Sequence, residues 1–329
     1  MNVPGWVWIA TIGGLLVLLA IDLVIVDRKP HEVSMAEATR WVIFYVACAV
    51  LFGLGLWLLA GGEYAAQFYT GYITEYSLSV DNLFIFVVIM STFSVPPIHQ
   101  HKVLLIGIVL ALIMRGIFIA LGSAVTSRFN WVFYIFGAFL IYTAWRLARR
   151  RDEDADEFTE NVLLRTARRL LPVTDEFRNA RMVVSERGKL MVTPMFIVMV
   201  AIGTTDLLFA LDSIPAIFGL TKEPFLVFTA NAFALMGLRQ LYFLIGGLLD
   251  RLVYLSIGLA VILGFIGIKL ILEAMHENTL PFLNGGNALP VPTIGIHVSL
   301  LVIVGVLALT AAASLIKVRR DRRTARRID

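Results

Sequence analysis

Four acidic side chains interrupt apolar stretches of this sequence, and their spacing is repeated. They are Glu75, Asp81, Asp206 and Asp212. The acids of each pair stand six residues apart, and a small polar residue, Asn82 or Ser213, follows the second acid. A charge at the centre of a membrane helix costs roughly 2.5–3.5 kcal/mol on insertion scales. Four such charges in apolar segments therefore indicate a functional site.

The composition is that of a polytopic membrane protein. Hydrophobic residues make up 59% of the chain and charged residues 16%, with a mean hydropathy of +0.83. The net charge of +4 does not indicate nucleic-acid binding, because the basic residues flank apolar runs. A single cysteine, Cys48, excludes an intrachain disulfide.

Nine apolar runs predict an all-α protein with about nine transmembrane helices in a single transmembrane domain over residues 1–329. The runs are 4–26, 41–60, 71–92, 103–124, 130–147, 191–218, 225–249, 252–273 and 294–316. No basic residue precedes the first run and no small-residue cleavage site follows it, so it is interpreted as a retained span.

Lysine and arginine predict the orientation. With the N-terminus outside, 23 of the 28 basic residues fall on the cytoplasmic side, and only Arg128 and Lys222 fall in outward loops. Residues 149–190 then form a cytoplasmic loop between spans five and six. Its arginine-rich part is interpreted either as an amphipathic helix on anionic headgroups or as a solvated connector. Residues 317–329 form a basic cytoplasmic tail.

Similarity between segments predicts an inverted repeat of three helices. Arg115 in the fourth span and Arg239 in the seventh each precede a glycine by seven residues, Gly122 and Gly246. Spans 3–5 would thus repeat as spans 6–8, with the second copy entering from the opposite side. Inverted repeats of this kind are typical of secondary transporters, whose binding site lies near the membrane midplane.

Helical geometry divides each acidic pair between two faces. Residues six apart differ by about 240° around an ideal helix, whereas residues seven apart nearly coincide. Asn82 should therefore lie below Glu75, and Ser213 below Asp206. A cation between spans three and six would draw one set of oxygens from each span, and Asn231 in span seven is a further candidate ligand.

The ligand types favour a hard divalent cation. Carboxylates, amides and hydroxyls suit Mg²⁺, Ca²⁺ or Mn²⁺, and spans three and six contain no histidine or cysteine. Pro215, three residues after Asp212, is expected to break span six and free a carbonyl. The alternative is that the acids pair structurally with three intramembrane cations, Arg115, Arg239 and Lys269, which otherwise serve charge balance or gating.

Two classes of chemistry find no support in the sequence. There is no glycine-rich loop with a lysine to cradle a phosphate, so ATP-driven transport by this chain is not expected. No nucleophile–base arrangement predicts an enzyme. No permanently bound cofactor is expected, because the cation would be cargo.

At these motifs the chain resembles the TerC/Alx family of bacterial integral membrane proteins. The resemblance rests on the segments 75–84 and 206–218, and it extends over most of the chain through the nine-span layout and the basic loop. It implies export of manganese across the cytoplasmic membrane, and it implies that the acids matched here are needed for that export.

The resulting hypothesis is a secondary transporter that exports Mn²⁺ and is coupled to proton entry, because binding of a dication releases protons from carboxyl groups. One alternative is another cargo, Ca²⁺ or an amino acid, the latter bound by the arginines. A second alternative is a membrane stress-complex scaffold in which the acids are structural.

Overall fold

The computed structural model describes residues 3–26, 35–149, 172, 174, 182–186, 189–245, 254–278, 280 and 283–325. The helices in these ranges are α1 (Gly5–Val26), α2 (Met35–Ala60), α3 (Gly62–Thr92), α4 (Pro97–Thr126), α5 (Val132–Arg149), α6 (Pro194–Phe218), α7 (Pro224–Met236), α8 (Leu238–Ile245), α9 (Leu255–His276) and α10 (Ile296–Ala325). One hairpin, β1 (Val183–Glu186) with β2 (Lys189–Val192), precedes α6. The predicted all-α polytopic membrane fold is confirmed.

Local sequence explains where several helices begin. Pro97, Pro194 and Pro224 each occupy the first turn of their helix, where the missing N–H would have no partner in any case. Gly61 joins α2 to α3 with a φ of 110°, a conformation that glycine adopts without a steric penalty. The long α2 and α3 therefore follow each other through a one-residue turn.

Six helices of the described chain are long and apolar enough to cross a membrane. They are α2, α3, α6, α9 and most of α4 and α10. The apolar part of α1, Gly5–Ile21, is shorter, and α5 has 18 residues with Arg146 and Arg149 in its last turn. The number of nine spans stays a prediction.

Two expectations about helix breaks differ from the structure. The predicted span 225–249 is not one helix, since α7 ends at Met236 and α8 begins at Leu238, on either side of Gly237. Conversely, α6 continues through Pro215 to Phe218. Pro215 lies in the last turn, where its ring removes only one hydrogen bond, so the helix tolerates it.

Residues 149–190 were predicted to form a cytoplasmic loop before α6. The described end of this segment contains the β1–β2 hairpin, in which Val183 pairs with Val192 and Glu186 with Lys189. The arginine-rich part, 150–171, and the end of the basic tail, 326–329, lie outside the described residues.

The helices of the two predicted repeat halves interdigitate. Helix α3 contacts α7, α4 contacts α6, and α5 lies along α9. Each contact joins one half to the other, as an inverted repeat predicts, although the repeat itself stays a prediction. Two glycines allow the closest approach: a Cβ on Gly137 would lie 2.7 Å from the Gly267 carbonyl, and one on Gly267 would lie 2.8 Å from the Gly137 carbonyl.

This reciprocal contact predicts that Gly267→Ala destabilises the protein. The added methyl group meets backbone, which cannot swing aside, so we expect a cost of about 1–3 kcal/mol and a lower melting temperature in detergent. Gly264→Ala is the matched control on the same helix, because its Cβ would make an ordinary contact 3.6 Å from Ala144. Equal stability of the two variants would contradict the close packing of α5 on α9.

Candidate functional site

Arg115 of α4 connects one acid from each predicted pair. Its Nη1 donates to Glu75 Oε2 at 2.7 Å, and its Nη2 donates to Asp206 Oδ1 at 3.4 Å. All three residues are at least 96% buried. We name this group the Arg115 cluster. Two carboxylates face one guanidinium, so the cluster carries one net negative charge when both acids are ionised.

The Arg115 cluster is not saturated by its own hydrogen bonds. The second oxygens, Glu75 Oε1 and Asp206 Oδ2, are buried without a hydrogen-bond partner among the described residues, and so is Arg115 Nε. A buried carboxylate oxygen without a partner is costly. The cluster can therefore accept a further proton or cation.

Asp212, the second acid of the second pair, lies in a separate cavity. This Asp212 cavity has a volume of about 200 Å³ and is bounded by α3, α5, α6 and α9. Asn82 and Ser213 also line it. The Thr143 hydroxyl of α5 donates to Asp212 Oδ1 at 3.1 Å, which fixes the carboxylate against one wall. Arg146, an exposed residue near the end of α5, lies at the rim.

Lys269 lines a second cavity, of about 320 Å³, which we name the Lys269 cavity. Glu63 of α3 and Glu273 of α9 also line it. Between α6 and α7, Lys222 bonds Glu273 at 3.0 Å and Glu277 at 2.9 Å. Burial acts to lower the pKa of Lys222, but the hydrogen bond to Glu277 and the charge of Glu273 outweigh it, so the pKa is raised and the ammonium persists.

The remaining predicted residues are distributed over three helices. Asp81 lies on α3, but its side chain is outside the described part of the structure. Asn231 is buried on α7, and its Nδ2 has no hydrogen-bond partner among the described residues. Arg239 is buried on α8.

The structure thus divides the predicted ligand set between two places. The prediction was one cation site between spans three and six, with one set of oxygens from each span. Instead Asp206 joins Glu75 through Arg115, and Asp212 joins Asn82 and Ser213 in the cavity. Six residues along α6 separate the two acids by about 9 Å. Within the described side chains, no three His, Cys, Asp or Glu residues gather closely enough to hold a metal.

Two features of the site had not been predicted. Thr143 lies on α5, a span without an acid, and only its contact with Asp212 reveals it. The break at Gly237 lies against Tyr76, the neighbour of Glu75 on α3, at 3.6 Å from a Cβ position on Gly237. The glycine itself was the available signal, because glycine weakens a helix interior. Interrupted helices beside acids are frequent in transporter sites.

Comparison with protein families shows which family this chain belongs to. The model of the integral membrane protein TerC family matches residues 60–322, which include every candidate site residue. The chain belongs to the TerC family. This TerC-family protein is also 47% identical over 317 residues to an uncharacterized membrane protein of Mycobacterium tuberculosis, covering 95% of this chain and 80% of the relative.

Two further relatives come from other bacteria. A Myxococcus xanthus membrane protein, also uncharacterized, is 41% identical over 316 residues, covering 96% and 93% of the two chains. An Escherichia coli K12 protein, named "Putative membrane-bound redox modulator Alx", is 38% identical over 303 residues, covering 89% of each. The comparison with solved structures gave no match.

Proposed function

We propose that this TerC-family protein is a secondary transporter that exports a divalent cation, Mn²⁺, across the bacterial cytoplasmic membrane. The observation that carries the proposal is the Asp212 cavity. A carboxylate, an amide and a hydroxyl converge there within helices of membrane-spanning length. Polar groups at this depth are expensive and mark ion or substrate pathways. The family resemblance of the acidic motifs points to manganese.

The donor set suits a hard ion that keeps part of its water shell. Asp212 supplies a charged oxygen, and Asn82 and Ser213 supply neutral ones. The Ser213 Oγ is buried without a hydrogen-bond partner among the described residues, so it is available to an ion. About 200 Å³ leaves space for bound water as well. Such oxygen donors favour Mn²⁺, Mg²⁺ or Ca²⁺ over softer ions.

In this proposal the Arg115 cluster balances charge and does not bind the cargo directly. Arg115 already contacts two carboxylates, whose combined negative charge would repel the carboxylate of an amino acid. That arrangement speaks against the amino-acid alternative. The same ion pairs are what the scaffold alternative requires, which is why the Asp212 cavity, and not this cluster, must be tested for transport.

The distribution of basic residues supports export as the proposed direction of transport. With the N-terminus outside, the Asp212 cavity lies toward the cytoplasm, since Arg146 at its rim belongs to the basic inner side. A dication entering there would displace protons from carboxyl groups, which supports coupling to proton entry. The name of the Alx relative suggests a redox role instead, but this chain has one cysteine and so cannot form a dithiol pair within itself.

The proposal is tested in bacteria that lack their own manganese exporter. Expression of the wild-type chain should raise Mn²⁺ tolerance and lower cellular manganese, as measured by elemental analysis. Calcium and magnesium are measured in the same samples. Unchanged manganese with lower calcium would favour the alternative cargo, and unchanged metal content with a well-expressed protein would contradict export.

A further inference from the structure

Two cavities approach the same stretch of α6 from opposite ends. Ser213 lines the Asp212 cavity, and Phe218 lines the Lys269 cavity. With a rise of 1.5 Å per residue, about 7.5 Å of helix separates them. Helix α9 gives nearly the same spacing, about 9 Å, because Leu263 lines one cavity and Lys269 the other. The cavities are therefore successive compartments along the same helices.

The barrier between the compartments is short and apolar on α6. Ile214, Pro215, Ala216 and Ile217 are all buried, and none carries a polar side chain. An ion that leaves the Asp212 cavity in the direction of the α6 C-terminus would reach the Lys269 cavity within about two helical turns.

On the far side of the barrier, polar contacts connect the segment between α6 and α7 to its neighbours. Thr221 Oγ1 donates to Gln67 Oε1 of α3 at 2.6 Å. Lys222 is bonded to Glu273 of α9 and to Glu277, the residue that follows this helix. The segment between α6 and α7 is thus tied to both neighbouring helices, whereas the Asp212 cavity has an exposed arginine at its rim.

Lys269 differs from Lys222 in having no such contact. Its side chain is 94% buried and lines the cavity, yet no hydrogen bond or ion pair joins it to a described residue. The charges that act on it are Glu273, four residues along α9, and Lys222. Because Glu273 is bonded to Lys222, the Lys269 amino group lines the cavity without a bonded acid among the described residues.

We infer that the Lys269 cavity is the release compartment for the exported cation, and that Lys269 expels the cation from it. The inference rests on the proposed export function. A protonated Lys269 would repel a dication that shares this compartment, which would weaken the binding of the dication there and oppose its return from outside. Four glutamates that line the compartment attract cations to it, so the proposed effect of Lys269 is to limit how tightly a cation is held there: Glu63, Glu223, Glu273 and Glu277.

Charge-selective labelling tests the electrostatic role without requiring transport. Thr293→Cys, in a Cys48→Ala background, places a thiol at an exposed position that lines the cavity. Purified protein in detergent at low salt is reacted with an anionic and a cationic methanethiosulfonate reagent. We expect Lys269→Gln to lower the anionic-to-cationic rate ratio about tenfold, because a charge in a cleft changes local ion concentration on that scale.

The controls and the transport assay separate this inference from the proposed function. Lys102→Gln, an exposed charge at the start of α4, should leave the ratio unchanged, Lys269→Arg should preserve it, and Lys269→Met should repeat the loss. In proteoliposomes, external Mn²⁺ should inhibit export by the Lys269→Gln variant at a concentration about tenfold lower than that which inhibits export by the wild type. An unchanged labelling ratio would overturn the inference. So would an unchanged inhibition of export by external Mn²⁺, provided that the wild-type protein exports Mn²⁺ in the same vesicles. Vesicles without wild-type export would instead contradict the proposed function, and the labelling ratio would still decide the role of Lys269.

Discussion

Asp212→Asn should abolish manganese tolerance in cells while leaving the protein well expressed. The amide keeps the size of the side chain and can still accept the Thr143 hydrogen bond, but the substitution removes the only carboxylate among the described residues that line the Asp212 cavity. Loss of an outer-shell partner alone typically costs about 10–100-fold in metal affinity. We therefore expect a direct ligand to cost at least as much, measured as cellular manganese and as Mn²⁺ affinity of the purified protein.

A variant with a smaller expected effect and a control variant show whether the loss of manganese export arises from the Asp212 cavity. Thr143→Val removes the hydroxyl that positions Asp212, so its effect should be smaller, about tenfold. Glu37→Gln is the matched control, because it removes an acid in the first turn of α2, which lines neither cavity. Normal manganese handling by a well-expressed Asp212→Asn variant would remove the Asp212 cavity from the transport path.

Arg115→Met should have the largest effect on stability. Glu75 and Asp206 would keep their burial but lose the guanidinium that contacts both. Removing one partner of a buried ion pair costs about 3–5 kcal/mol, because an uncompensated charge remains. We expect a strong drop in membrane expression and in melting temperature, measured by fluorescence-detected size-exclusion chromatography after heating.

Neutralising the partners should restore much of that stability. The triple variant Arg115→Met with Glu75→Gln and Asp206→Asn leaves no buried charge in the Arg115 cluster, so it avoids the uncompensated charge that makes Arg115→Met costly. Arg115→Lys should recover only part, since a single ammonium cannot contact two carboxylates through separate donors as the guanidinium does. If Arg115→Met were as stable as the triple variant, the ion pairs would not support the fold.

Hydropathy and spacing predicted much of the fold. The apolar runs were visible because a bilayer demands about 20 apolar residues per helix, and six described helices meet that demand. The positions of helix breaks were harder to predict. Pro215 suggested an interruption, but its position in the last turn made it harmless, whereas Gly237 interrupts a predicted span. The cost of either residue depends on its place in the helix, which the sequence alone did not define.

The sequence identified the residues of the candidate site, but it did not predict that they are divided between the Arg115 cluster and the Asp212 cavity. The six-residue spacing placed Glu75 and Asp81 on different faces, and it also implied that Asp206 and Asp212 face different neighbours. Which neighbours they meet depends on α4 and α5. Arg115 connects Glu75 to Asp206 from α4, and Thr143 reaches Asp212 from α5. Such contacts between distant segments arise from tertiary packing, to which helical periodicity is insensitive.

Manganese flux in proteoliposomes tests the central claim most directly. Purified wild-type protein and Asp212→Asn are reconstituted in matched amounts, and Mn²⁺ movement is followed with an internal fluorescent indicator at clamped voltage, with and without a pH gradient. We predict Mn²⁺ transport by the wild type, acceleration by a proton gradient directed against the metal, and loss of transport in Asp212→Asn. Equal flux in both proteins, or none above empty vesicles in either, would contradict the claim that the Asp212 cavity carries a divalent cation across the membrane.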